Sequence, residues 1–332
     1  MRFGVCWQPR VWHGWLPPIP TLASWQAVQA AGITDLRLTY DPALPAGLFE
    51  ADLRNAYTAG LRINVNMGAV WESGGAPVAA DPAIIEAQAL DLATRYGAMI
   101  ALYSFDNEPG AIAQKYEAAN PDSDFMKDAY MPACAAFVRG VRRVAPNAVI
   151  GGCDADSVDI QSRYIALADA LLPFVVCDRR RVHPYGDVGG ARYATMAGDD
   201  ENDGFAQATD LRPLDVGEID HQQLEGATGI ARPSDLQALL AFTRMIHAKY
   251  RTVGQIDYGT AEYFFTRVPS PPGIVPATTW STWTFGPEPV VSDAGRQFTQ
   301  VFHAINAGQP QADATATAIS PPVFGGDPIV IQ

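Results

Sequence analysis

Two glutamates in this chain stand where acid and base chemistry is done. Glu108 belongs to Ser104-Phe105-Asp106-Asn107-Glu108-Pro109, directly after the apolar run Met99-Ile100-Ala101-Leu102-Tyr103. Glu218 closes the run Leu214-Asp215-Val216-Gly217-Glu218. An apolar run of this kind reads as a buried strand, and the Pro109-Gly110 pair stops its ladder, so the carboxyl group emerges where a core strand ends. Two carboxyl groups in unlike surroundings can divide labour: one keeps its proton and gives it to a leaving group, the other stays ionised. On a plainer reading Asn107 and Glu108 only cap or solvate a turn. The elements between the two glutamates decide between these readings.

Those elements alternate. Phe3 to Trp7 reads as a first strand, and Leu22, Trp25 and Val28 at helical spacing give a helix closed by Gly32. Ile33 to Tyr40 with a helix from about Phe49 to Gly60, then Leu61 to Met67 with a helix from about Ala83 to Tyr96, repeat the unit. The fourth unit is the Met99 to Tyr103 strand and a helix from about Phe125 to Val144; the fifth is Ala148 to Gly152 and Ile160 to Leu172. Phe174 to Cys177, reaching His183-Pro184-Tyr185, opens the sixth, whose loop from Gly186 to Gly204 is long and acidic. Leu214 to Ile219 with Leu236 to Tyr250, capped by Ser234, is the seventh, and Gln255 to Phe265 with Phe298 to Ile305 the eighth.

Strands alternating with helices pair in parallel, and eight such units predict an α/β chain closed into a (β/α)8 TIM barrel, one domain over residues 1–306. The rival is a doubly wound sheet, but Val5-Cys6-Trp7-Gln8 lacks the glycine fingerprint after the first strand. Residues 307–332 turn to Gly, Pro, Ala, Gln and Thr without helical period and read as an extended tail, through which a partner could attach.

Composition removes several classes of function. A net charge of −13, with Lys115, Lys127 and Lys249 the only lysines, disfavours nucleic acid and polyanions. Cys6, Cys134, Cys153 and Cys177 show no CxxC spacing, so neither zinc nor disulfides is indicated, and no cofactor is expected. No run approaches the roughly 18 apolar residues of a membrane span. Met1 to Val5 enters a strand at once, leaving no room for a signal peptide and pointing to the cytoplasm; release by lysis or as part of a virus particle stays open. The stretch from Asp199 to Asp210 resembles a calcium loop only faintly, with Glu201 and Asp210 poorly matched, and reads as solvated.

On a parallel barrel every strand points the same way, so strand ends converge on one mouth. They supply Arg37, Asn66, Asn107 and Glu108, His183 and Tyr185, Glu218, and Glu262 or Tyr263. A retaining glycosidase needs two carboxyl groups roughly 5 to 5.5 Å apart, one protonated and one nucleophilic. Arg37, His183 and Tyr185 could hold Glu218 as an anion while Glu108 keeps its proton. Arg37 could equally be an ion-pair partner inside the barrel, and His183 could brace the turn before Pro184. Trp7, Trp12, Trp15, Trp71, Trp280 and Trp283 fall at or after strand ends, where each either stacks on a sugar or anchors a loop.

The Asn107-Glu108-Pro109 end of strand four, the His183-x-Tyr185 end of strand six and the Gly217-Glu218 end of strand seven resemble clan A of the glycoside hydrolases, the retaining (β/α)8 enzymes. The resemblance spans most of residues 1–305. It implies that Glu108 is the acid/base, that Asn107 contacts the sugar 2-hydroxyl, that Glu218 is the nucleophile and that Tyr185 hydrogen-bonds it. It implies an oligo- or polysaccharide substrate. At strand eight, where the clan carries a tryptophan, this chain has Glu262-Tyr263-Phe264, so Tyr263, Trp280 and Trp283 are the candidates for that place. Two rival readings remain: a non-catalytic carbohydrate-binding barrel within a larger assembly, and a metal-dependent hydrolase using His183, Glu218, Asp220 and His221. Against the second, no HxH or HxxxH spacing occurs.

Overall fold

The computed structural model of the chain describes residues 2–7, 21–30, 32–42, 44–155, 160, 162–164, 166–167, 177–182, 214–219, 253–258, 283–284 and 290–291. Outside them lie Trp12, Trp15, His183, Tyr185, Glu262, Tyr263 and Trp280, the acidic loop, the helices expected at 236–250 and 298–305, and the tail.

Eight strands form one parallel sheet: β1 (Arg2–Trp7), β2 (Asp35–Tyr40), β3 (Arg62–Met67), β4 (Ile100–Phe105), β5 (Gly151–Ala155), β6 (Arg179–Val182), β7 (Leu214–Ile219) and β8 (Val253–Tyr258). Hydrogen bonding runs β4-β3-β2-β1-β8-β7-β6-β5. The two outer strands of that order then meet each other: Tyr103 bridges Ile150 in parallel, and the Tyr103 N–H donates to Val149 O at 2.9 Å. Each strand is thus flanked by its sequence neighbours.

Alternation along the strands sorts the residues into two environments. Leu36 and Leu38 of β2, Ile63, Val65 and Met67 of β3, and Tyr103 and Phe105 of β4 belong to one apolar cluster with the helices. The residues between them, Arg37, Asn64, Asn66 and Ser104, are also buried but polar. Register sets them side by side, Arg37 opposite Asn64 and Asn66 opposite Ser104, so they occupy the other face. One face of the sheet therefore builds the hydrophobic core, and the other is lined with hydrogen-bonding groups.

The helices that cover the apolar face are α1 (Leu22–Ala30), α2 (Ala46–Thr58), α3 (Pro82–Tyr96), α4 (Pro109–Ala119) and α5 (Met131–Val144), the last preceded by a π turn at Met126–Tyr130. Asp81 caps α3, its side chain accepting from the Ala83 N–H at 2.8 Å with Pro82 at the first helical position. Gly60, at φ 88°, ends α2: the Leu61 N–H reaches Ala56 O and the Gly60 N–H reaches Tyr57 O, a Schellman closure. Among the described helices, none is long and apolar enough to cross a membrane.

Two expectations shift. Helix α4 occupies a stretch to which no element was assigned: Pro109, which stops the β4 ladder, is also the first residue of a helix. Strand β5 runs to Ala155, beyond the expected Gly152, since its polar Asp154 hid it from an apolar pattern. Strand β6, Arg179–Val182, lies within the span from Phe174 to Tyr185 read for the sixth strand.

Helices α3 and α5 approach at Gly140, where a Cβ would lie 2.5 Å from Glu86 O and 2.8 Å from the Ala89 Cβ. Alanine there gains about 1 kcal/mol of helix propensity. Overpacking costs about 1–3 kcal/mol, and a helix-backbone carbonyl cannot rotate away as a side chain can. Gly140→Ala is therefore expected to lower the urea midpoint of the full chain. A raised midpoint would show that the two helices have room to separate.

Candidate active site

The turn after β4 is held in a conformation that most residues avoid. Asp106 has φ 60° and Glu108 has φ 48°, both left-handed and neither glycine. Each such residue costs roughly 1–3 kcal/mol and persists where its surroundings over-determine it. The surroundings are specific. The Asp106 N–H continues the ladder onto Met67 O at 2.9 Å, and the Glu108 N–H donates to Asp154 O at 3.1 Å. Pro109 and Gly110, both buried, begin α4 immediately afterwards. Asn107 and Glu108 themselves are only half-buried, so this turn meets the surface at these two residues.

Beneath them lies a charged cluster on the polar face of the sheet. Arg37 Nη2 donates to Asn107 Oδ1 at 2.7 Å and to Asp154 Oδ2 at 2.6 Å. Arg181 Nε donates to Asp154 Oδ1, so one carboxylate lies between two guanidinium groups. Arg37 and Asp154 are 0% exposed and Arg181 1%, which removes them from contact with any solute. Asn66 Nδ2 donates to Asp154 Oδ2 at 3.1 Å and to Asp106 O, and it lies 3.2 Å from Ser104 Oγ. Charge-assisted bonds of this kind are stronger than neutral ones, and removing one partner leaves a buried charge uncompensated. Gly151 makes the room: a Cβ there would collide with the Arg181 side chain.

A second carboxylate braces the turn from the other side. Asp106 is 6% exposed and its Oδ2 accepts from Trp71 Nε1 at 2.6 Å. Burial pushes its pKa up to about 7, with the nearby Asp154 charge adding to the rise and donors from Trp71 and from the Asn107 and Ala69 backbone opposing it. Trp71 is packed between Phe105, Phe125 and Tyr130, with ring centroids 6.4, 5.0 and 6.2 Å away. It is an anchor for the loop after β3 and not a surface for stacking.

Of the residues proposed from sequence, the structure brings Arg37, Asn66, Asn107 and Glu108 into one network. Arg37 and Asn66 need correction as direct ligand contacts: at 0% and 1% exposure they support the turn from below. Trp7 ends β1 and pairs in register with Leu38; Trp283 lies in the two-residue strand Trp283–Thr284, antiparallel to Val290–Val291. Glu218 is the penultimate residue of β7, with β5 and β6 between its strand and that of Glu108. The register of β7 on β8 slips between Val216 and Ile219, on Gly217-Glu218, so strict alternation breaks there. Such irregularities occur next to functional sites, where they re-aim a residue. Sequence reading missed Asp106, Asp154 and Arg181. The signal for Asp154 was an aspartate following the small residues Gly151-Gly152-Cys153 at a strand end. Among the described residues, no group of three or more His, Cys, Asp or Glu is arranged to hold a metal ion.

Parallel strands bonded in cyclic sequence order, with a polar constellation at their carboxyl ends, define the class of α/β proteins that carry sites on the loops following the strands. No protein-family model matches the chain, and no curated protein sequence does. Solved structures do match, and they include glycoside hydrolases of family 5 in clan A. A GH5-4 broad-specificity endoglucanase from an uncultured bacterium shares 13% identity, covering 77% of this chain and 86% of that one at a TM-score of 0.56. The exo-β-1,4-mannosidase Op5Man5 from Opitutaceae bacterium strain TAV5 shares 14%, covering 96% of this chain and 60% of its own, with a TM-score of 0.59. A Bacteroides ovatus GH5 xyloglucanase in complex with a XXXG heptasaccharide shares 16%, over 81% of this chain and 71% of that one, at 0.51. At these identities the likeness is one of fold.

The raised Asp106 pKa has a consequence for stability. Between an unfolded value of 3.8 and a folded value of about 7 the folded chain binds the extra proton. Stability from this group is thus present below about pH 4 and lost as pH rises through 7, on the order of 4 kcal/mol at most. Asp106→Asn keeps an acceptor for Trp71 and cannot titrate. Urea unfolding at pH 5 and pH 8 is expected to show the variant gaining on wild type at the higher pH; an unchanged difference would refute the shift.

Proposed function

We propose that this chain is a retaining glycoside hydrolase acting on β-glycosidic bonds, with Glu108 as acid/base and Glu218 as nucleophile. The observation that carries it is the turn after β4, where Glu108 is held in a left-handed conformation over a buried ionic network on a fold shared with GH5 enzymes. Strain of this kind is kept where a side chain must be presented in one orientation. The full eight-helix form of the barrel belongs to the same proposal.

In this mechanism Glu108 gives its proton to the departing glycosidic oxygen while Glu218 attacks the anomeric carbon. Water then opens the glycosyl ester, with Glu108 taking back a proton, and the anomeric configuration is kept. Half-burial of Glu108 suits a group that must be reached by substrate yet hold its proton. Asn107, its Oδ1 fixed by Arg37, has its amide nitrogen left to meet the sugar 2-hydroxyl. His183 and Tyr185 are proposed to keep Glu218 ionised, and Trp7, Tyr263, Trp280 and Trp283 to supply apolar surfaces for sugar rings. The endoglucanase, the xyloglucanase with its bound heptasaccharide and the mannosidase among the neighbouring structures make an oligo- or polysaccharide the expected substrate class.

The test is a series of aryl β-glycosides assayed with wild type, Glu218→Gln and Glu108→Gln. Removing the nucleophile is expected to cost roughly 10⁴-fold or more on every substrate. Glu108→Gln should spare the glycosylation step for dinitrophenyl leaving groups, which depart without a proton. The first-formed sugar anomer, followed by NMR, should match the substrate. Undiminished turnover in Glu218→Gln would end the proposal, and glycan binding without any turnover in wild type would make the chain a binding module.

A further inference from the structure

We infer that Asp154, on β5, is a positioning residue for both halves of the Asn107-Glu108 pair; the inference rests on the acid/base reading of Glu108. Asp154 reaches the pair by two separate routes. Its backbone oxygen accepts the Glu108 N–H at 3.1 Å, fixing the main chain of the acid in its left-handed conformation. Its carboxylate accepts from Arg37 Nη2 at 2.6 Å, and the same nitrogen donates to Asn107 Oδ1 at 2.7 Å. Arg37 thus has its orientation set by Asp154 and passes that orientation to Asn107.

The remaining acceptor capacity of the carboxylate is also used. Arg181 Nε from β6 binds Oδ1, and Asn66 Nδ2 from β3 shares Oδ2 with Arg37. Donors from β2, β3 and β6 therefore converge on one side chain that is 0% exposed and cannot touch a sugar. A carboxylate with donors on three sides has little freedom to rotate, which is what a reference point for catalytic geometry requires. Asn66 adds a second hold on the same turn by donating to Asp106 O. Asp154 acts through Arg37 and the Glu108 backbone, and it takes no proton and makes no bond in the reaction.

The experiment uses the full chain and measures kcat/KM for aryl β-glycosides whose leaving groups range from phenol to dinitrophenol. Asp154→Asn should lower kcat/KM for the phenyl substrate by about 10²-fold, the order expected when a reacting group is misplaced by about 1 Å. The loss should shrink as the leaving group improves, because a departing dinitrophenolate needs no well-placed acid. The dependence on leaving-group acidity therefore steepens. A merely structural role would reduce the fraction of active molecules and lower every substrate equally, leaving that dependence unchanged. Because Asp154→Asn leaves two buried guanidinium groups facing a neutral amide, the same assay is run on Asp154→Asn with Arg181→Gln, which removes one of each charge. Equal losses on all substrates, or none, overturn the inference. Glu218→Gln assayed alongside separates the two claims: if it retains full turnover the glycosidase reading fails, and if it is inactive while Asp154→Asn matches wild type, only the role of Asp154 fails.

Discussion

One buried carboxylate sets the geometry on which the rest depends. Asp154 lies between Arg37 and Arg181, all three closed to solvent, and the charges are tolerable there because each finds its opposite within hydrogen-bonding distance. Replacing such a cluster with packed apolar side chains would often stabilise a protein, so its presence is poorly explained by stability alone. Its value lies in direction: a guanidinium donates along fixed lines, and those lines point at Asn107. The strained turn is then less a local oddity than the upper edge of a rigid polar stack that starts on β2.

The apolar face does the complementary job. Phe105 and Tyr130 have ring centroids 5.5 Å apart, and Tyr130 OH donates to Phe105 O at 3.1 Å, which ties the end of β4 to the helix layer. Trp71 joins the same aromatic group while its ring nitrogen holds Asp106. The turn is therefore clamped from two chemically different sides, by charge within the sheet and by packing outside it. Neither side alone would fix two left-handed residues.

Much of the scaffold was legible because its signal is periodic. Asn64-Val65-Asn66-Met67 alternates with the strict period of a strand, and Trp25, Val28 and the apolar positions of α3 follow the helical one. The prominence of Glu108 was legible for the same reason, since it follows an apolar run and precedes a proline. What escaped was whatever broke the pattern for a purpose. Asp154 and Arg181 are strand residues with charged side chains, and charge in a core strand makes sense only once the partner from another strand is known. Arg37 was read either as an internal ion-pair partner or as a site residue; the structure shows the ion pair with Asp154 and a bond from the same nitrogen to Asn107. Helix α4 was missed because the Pro109-Gly110 pair was read only as the end of a strand, although proline also suits the first position of a helix.

The meeting of β4 and β5 has a meaning for how the chain assembles. At that seam the ladder is reduced to a single bridge, Tyr103 with Ile150, while Asp154 of β5 reaches across to β2, β3 and the β4 turn. A fragment that stopped after α5 would have Arg37 in place but lack the Asp154 carboxylate that binds it, and its polar face would be left open to water. Halves of this ring are therefore poor candidates for independent folding units. Cooperativity is built into the interior itself, because the first strands become comfortable company for one another only when the fifth and sixth arrive.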